Sequence, residues 1–250
     1  SDGSRIDVLR RANSGRLSQE QVVPMMNIDN EKWKGLGEDL KEYLKNKDAR
    51  FDDVYLIDDF TASGTTFIRF PNGGAAKGKL AKFEKIVHYA RKHLVGDFPL
   101  ADNYTLHIHH YVSTSQAREA LDCRIAEADE KLTDRSYGTA FITEGLRLPP
   151  DLPIGSSDPK VGKMLASNQS DGAFIGLCDN YYDDELFERL KKHCEEAGQT
   201  NMRYGYANCA LPLVLEHNTP NNSIPILWAE TEGKKARAMR PLFQRRDRHG

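Results

Sequence analysis

The 250 residues carry 35 lysines and arginines against 37 aspartates and glutamates, a formal net charge of −2, which excludes a globally basic nucleic-acid coat and an acidic disordered tail. Apolar residues make up 39% of the chain; with the glycines added this is the range of ordinary folded domains, and the length suits one large α/β domain or a domain with a smaller appendage. No apolar run is long enough to cross a bilayer, the start Ser1-Asp2-Gly3-Ser4-Arg5 lacks the layout of a leader, and four cysteines without a Cys-x-x-Cys pair read as free thiols, so a cytoplasmic protein with no membrane partner is expected.

Along the chain, residues 4–12 and 30–46 are expected to be helical, the second with Trp33, Leu36, Leu40, Tyr43 and Leu44 recurring at three- and four-residue intervals behind an Asp29 or Asn30 cap. Between them Gln21 to Met26 reads as a short edge strand, since Pro24 argues against a central one. Val54-Tyr55-Leu56-Ile57 is a compact apolar run of the kind that forms a buried parallel strand. A helix follows at about 77–94, then an alternating strand from Tyr104 to Val112, then Ser113-Thr114-Ser115 as the cap of a helix to about 131. Strand, loop and helix thus recur as βα units. Phe141-Ile142, Phe174 to Leu177 and Leu211 to Leu215 suggest later strands, with a helix at about 183–197. The linker Pro149-Pro150-Asp151-Leu152-Pro153 places a boundary near 148, giving a core over 1–148 and a smaller α+β portion over 149–250 that ends in a basic tail.

The most informative segment follows the first parallel strand: Asp58-Asp59-Phe60-Thr61-Ala62-Ser63-Gly64-Thr65-Thr66. Consecutive strand side chains point to opposite faces, so two acids at a carboxyl end can reach different groups of one ligand across the tip. Left alone they repel by about 4 kcal/mol at about 4 Å and an effective dielectric near 20. Vicinal sugar hydroxyls with Mg²⁺ close by would relieve that repulsion. The amides of the following turn and the hydroxyls of Thr61, Ser63, Thr65 and Thr66 can converge on a tetrahedral anion, aided by the dipole of any succeeding helix. No Gly-x-x-x-x-Gly-Lys-Ser/Thr and no Gly-x-Gly-x-x-Gly after a strand is present, so neither a P-loop nor a dinucleotide fingerprint is supported.

Apolar strand, two acids, one apolar residue and a small Thr/Ser-Gly-x-Thr loop resemble the phosphoribosyl pyrophosphate signature of type I phosphoribosyltransferases. The resemblance implies that Asp58 and Asp59 hold the ribose hydroxyls and the metal, and that Thr61, Ala62, Ser63, Gly64, Thr65 and Thr66 hold the 5′-phosphate. It also implies a three-layer α/β sheet and transfer of a phosphoribosyl group with Mg²⁺ as cofactor. Leu211 to Trp228, with Pro241-Leu242-Phe243, is similar to the C-terminal part of phosphoribosyltransferase-like proteins proposed as effectors in bacterial conflict and defence systems, and with residues 4–70 that similarity covers most of the chain. Three features depart from the enzymes: Ala62 stands where hypoxanthine–guanine enzymes have an acid four positions after the first of the pair, the 53 residues before Val54 read as mostly helical where the enzymes have further strands and a pyrophosphate loop, and no lid is evident beyond the flexible, basic stretch from Gly73 to Lys79. The missing strands are expected before residue 1, in a core incomplete at its N-terminus. The alternative is a non-catalytic nucleotide-sensing or nucleic-acid-associated subunit of a defence complex.

Three other groupings have chemistry. His107 and His109 share a strand face but have no neighbouring cysteine or carboxylate in sequence to complete a metal site. His217 and Asn218, in Glu216-His217-Asn218-Thr219-Pro220-Asn221, offer groups for base recognition or proton transfer as well as the makings of a tight turn; Tyr204, Tyr206 and Trp228 suit either a stacking role or a core. Residues 234–249 hold seven lysines and arginines against Asp247, a basic end that could meet nucleic acid or an acidic protein partner.

Overall fold

The computed structural model describes residues 4–24, 26–154, 176–195, 199–233 and 238–243. The chain divides into two compact units, Ser1–Arg147 and Leu148–Gly250, each taken by itself below.

In the first unit, α1 (Ile6–Ala12) and α2 (Asn30–Leu44) precede β1 (Phe51–Thr61), α3 (Lys79–His93), β2 (Leu100–Thr114), α4 (Ser115–Lys131) and β3 (Tyr137–Leu148). The Asp29 carboxylate accepts from the Lys32 amide at 2.7 Å and Thr114 Oγ1 from the Ala117 amide at 3.0 Å, so α2 and α4 start where short polar side chains satisfy a free donor. The sheet order is β1-β2-β3. β1 and β2 are parallel, Leu56 beside Ile108 and Thr61 beside Ser113. Gly138 lies against the Asn103 carbonyl and Gly145 against that of Tyr111, so β3 runs the same way.

Right-handed crossovers in this order put α3 and α4 on one face, and the core lies there: Leu80, Phe83 and Val87 from α3 and Leu121, Ile125 and Ala128 from α4 pack with Leu106 and Ile108 of β2. Full burial of each large apolar side chain contributes about 1.5–3 kcal/mol. A buried polar bridge ties the layers: the Glu84 carboxylate accepts from Ser136 N and Ser136 Oγ, both at 2.7 Å, and Tyr104 shares a hydrogen bond with the same hydroxyl at 2.7 Å. The opposite face carries a row of rings across the strands, Tyr55 stacked on His107 at 4.2 Å and His107 near Phe141 at 5.8 Å, with Tyr55 58% and Phe141 52% exposed. A three-stranded parallel sheet combined with helices is compatible with the expected α/β class.

The stretch from Gln21 to Met26 is not a strand. Residues Gln19–Gln21 form a 3-10 turn, and the described residues after it are irregular; Pro24 lacks an amide for a ladder. Segment 69–77 is closed at its ends by reciprocal Arg69–Lys77 backbone bonds of 2.9 Å.

The second unit has helical backbone at 176–181 and α5 (Glu185–Glu195). Its core comprises Tyr182, Leu186, Cys194, Met202, Tyr206, Trp228, Ala229 and Met239. The expected strand at 174–177 is helical at Gly176 and Leu177, while Phe174 and Ile175 lie outside the described residues. Leu211 to Leu215 makes two isolated bridges, Leu211 to Ser223 and Leu215 to Asn218, rather than a strand: Pro212 offers no amide, and the chain doubles back at once. All four cysteines are free thiols. Among the described residues no helix is long and apolar enough to cross a membrane.

Candidate functional site

β1 continues through the acid pair to Thr61, because Phe60 and Thr61 find partners in Val112 and Ser113. Asp58 and Asp59 therefore stand inside the strand, 5% and 9% exposed, and point to opposite faces of the sheet. Asp58 turns to the helix side, where the ammonium of Lys79 at the head of α3 pairs with its carboxylate. Its register neighbour His110 is also buried there; burial pushes the imidazole down to about 4, against the pull of Asp58. Asp59 turns to the other face beside Tyr111, whose phenol is pushed up by burial, then by the charges of Asp59 and Asp7.

The loop after β1 is anchored to α4. The Ala62 carbonyl accepts from the Thr114 hydroxyl at 2.7 Å, the same hydroxyl that caps α4. The Ser63 carbonyl accepts from Arg124 at 3.2 Å, and the Ser63 and Thr65 hydroxyls share a hydrogen bond of 2.8 Å. Gly64 has φ +64, and a Cβ there would sit 2.8 Å from the Ala117 carbonyl, so both backbone shape and space demand glycine. Arg69 reaches the Thr65 carbonyl at 3.4 Å, and Thr66 is exposed. Thr61, Ala62 and Ser63 are buried.

α3 begins at Lys79, and its first two amides are occupied by the Thr66 carbonyl at 3.3 Å and the Phe67 carbonyl at 3.0 Å. Cations come from Arg69, Lys79 and Arg124, none of which the sequence reading assigned to the site. Arg69 was findable, four positions from Thr65. Arg124 is 61 positions from Ser63 and Lys79 is 21 from Asp58, separations without a local signal.

His217 and Asn218 lie in the second unit and are described apart from the loop. They form the predicted tight turn, closed by reciprocal Leu215–Asn218 backbone bonds of 3.0 and 3.1 Å. Tyr206 and Trp228 are core residues, whereas Tyr204 is half-buried with its hydroxyl on Asp179 at 3.4 Å. His107 binds Asp53 at 2.8 Å and His109 binds Thr143 at 2.9 Å. Among the described residues no group of three or more His, Cys, Asp or Glu is placed to hold a metal. Of the basic end, Arg240 donates to the Thr231 carbonyl at 3.0 Å, and Lys234, Lys235, Arg237, Arg245, Arg246 and Arg248 lie outside the described residues. A hollow of about 580 Å³ beside β1, lined in part by Val22, Pro24, Trp33, Tyr55 and Lys79, does not include the loop.

Because Asp58 and Asp59 diverge and Lys79 neutralises Asp58, the described residues form no protein cage for Mg²⁺ there. Mg²⁺ is characteristically held by one or two carboxylates together with substrate phosphates, and Asp59 suits that mode.

A family model described as PRTase-CE, for phosphoribosyltransferase conflict effectors, matches residues 11–245. No curated protein and no solved structure matches the chain.

Proposed function

The chain belongs to the PRTase-CE family, and from that premise we propose that it binds phosphoribosyl pyrophosphate, or a nucleoside 5′-phosphate, at the carboxyl ends of β1 and β2 with Mg²⁺ and transfers the phosphoribosyl group to an acceptor within a conflict system. The observation that carries this reading is the acid pair on a parallel strand running directly into a hydroxyl-lined loop that Arg69 and Arg124 flank. Ligands of parallel sheets gather at strand carboxyl ends, where backbone amides and loop side chains converge.

In this reading Asp59 accepts from a ribose hydroxyl, and the loop amides with the Thr61, Ser63, Thr65 and Thr66 hydroxyls take the 5′-phosphate. Mg²⁺, when bound, would draw charge from the departing pyrophosphate. The bond from the anomeric carbon to pyrophosphate breaks and a bond to the acceptor forms. Asp58, held by Lys79, keeps β1 and the head of α3 together under the site.

Calorimetric titration with phosphoribosyl pyrophosphate, with and without Mg²⁺, tests the binding half, and pyrophosphate release with candidate acceptors tests transfer. Binding without release would favour a sensor. Ala62 motivates that second reading: it is 3% exposed at the place of the purine-enzyme acid and brings no proton-transfer group.

A further inference from the structure

Ser113, near the carboxyl end of β2, is 2% exposed, and its hydroxyl has no hydrogen-bond partner among the described residues. Buried hydroxyls in folded proteins are almost always paired, since leaving one unpaired is unfavourable, so an orphan invites a specific explanation. Its position supplies one. Ser113 is the register partner of Thr61. In a parallel ladder such partners project to the same face, and Asp59, two positions before Thr61, shares that face. A buried carboxylate, the first loop hydroxyl and an unsatisfied hydroxyl thus stand together where two strands end.

We propose that Ser113 is a ligand-binding residue, its hydroxyl donating to an oxygen of the same sugar diol whose proton Asp59 accepts. The inference rests on the ligand reading above and deepens it by making the pentose diol the recognised group. Neighbouring hydroxyls of a diol can each donate and accept, so Asp59 takes a donated hydrogen while Ser113 satisfies a lone pair. A bound sugar oxygen supplies the acceptor that this buried hydroxyl lacks among the described residues.

The test compares the full chain with Ser113→Ala. Ribose 5-phosphate is titrated calorimetrically in the presence of Mg²⁺, and melting is followed without ligand. The expected result is a pair of opposite effects. Affinity falls about five- to tenfold, the worth of one hydrogen bond, while the ligand-free melting temperature rises by about 2–4 °C as an unpaired buried group is removed. Unchanged affinity in the variant, with the parent binding normally, overturns the role of Ser113 and leaves the ligand site standing. An unchanged or lower melting temperature shows that water already satisfies the hydroxyl and overturns the premise. No binding by the parent overturns the ligand reading of the loop, and this inference with it.

Discussion

Lys79 closes on the carboxylate of Asp58 from the first position of α3, joining that helix to the strand that carries the acid pair. The side chains are 24% and 8% exposed, so the acid is largely out of water and Lys79 helps to hold its charge. Removing one member of such a pair strands the other charge. Lys79→Met is expected to lower unfolding free energy by about 2–3 kcal/mol in urea titrations, somewhat below the fully buried range because solvent reaches the lysine. The double variant Lys79→Met/Asp58→Asn should recover most of that loss; a double variant as unstable as the single one would show that lysine packing, not charge, is at stake.

His110 gives the fold a dependence on acid. Burial pushes its imidazole from 6.5 down to about 4, with Asp58 and Asp59 opposing and Lys79 and His109 reinforcing the shift. The folded value lies below the unfolded one, so the unfolded chain takes up the proton first. The contribution is complete above about pH 6.5, declines as pH falls toward 4, and is level below that. A difference of 6.5 − 4 = 2.5 units corresponds to an order of 3 kcal/mol. Urea unfolding at pH 7 and pH 5 should show a smaller drop for His110→Gln than for the parent, and equal drops would remove His110 as the cause.

How far these relationships could be read beforehand follows from their range. Val54 to Ile57 announces β1 because β-branched and aromatic residues crowd together, and the α2 and α3 stripes announce helices because their period is local. Lys79 with Asp58 and Ser63 with Arg124 are products of crossover topology, which no short window contains. The strand expected at Leu211 to Leu215 failed because an apolar run becomes a strand only where a partner edge exists, and here the chain turns back on itself. The loop was visible as composition, but its anchorage to α4 through Thr114 was not: as a helix cap Thr114 could be foreseen, as a donor to Ala62 it could not.

Glu84 holds both donors of Ser136 at 2.7 Å in the interior. Glu84→Ala leaves the Ser136 amide unpaired there and its hydroxyl with Tyr104 alone, and is expected to cost about 2–4 kcal/mol. Glu84→Gln keeps one acceptor and should lose about half as much. Denaturant titrations of the two variants decide it, and equal losses would mean that the volume of the side chain, not its acceptors, matters.

Gly64 sits at φ +64 against the Ala117 carbonyl. Gly64→Ala must push the loop off α4, so phosphoribosyl pyrophosphate affinity is expected to fall at least about tenfold with a stability loss of only about 1–2 kcal/mol. Titration and melting of the same preparation separate the two effects; intact affinity would place the phosphate elsewhere.

The most direct measurement is calorimetric titration of phosphoribosyl pyrophosphate into the parent chain and into Asp59→Asn, each with and without Mg²⁺. The expected result is metal-dependent binding by the parent, weakened by about tenfold or more in the variant, whose amide cannot replace a charged acceptor. Absence of binding by the parent, or equal binding by the two proteins, would contradict a pentose held by the acid that β1 presents on the face opposite α3 and α4.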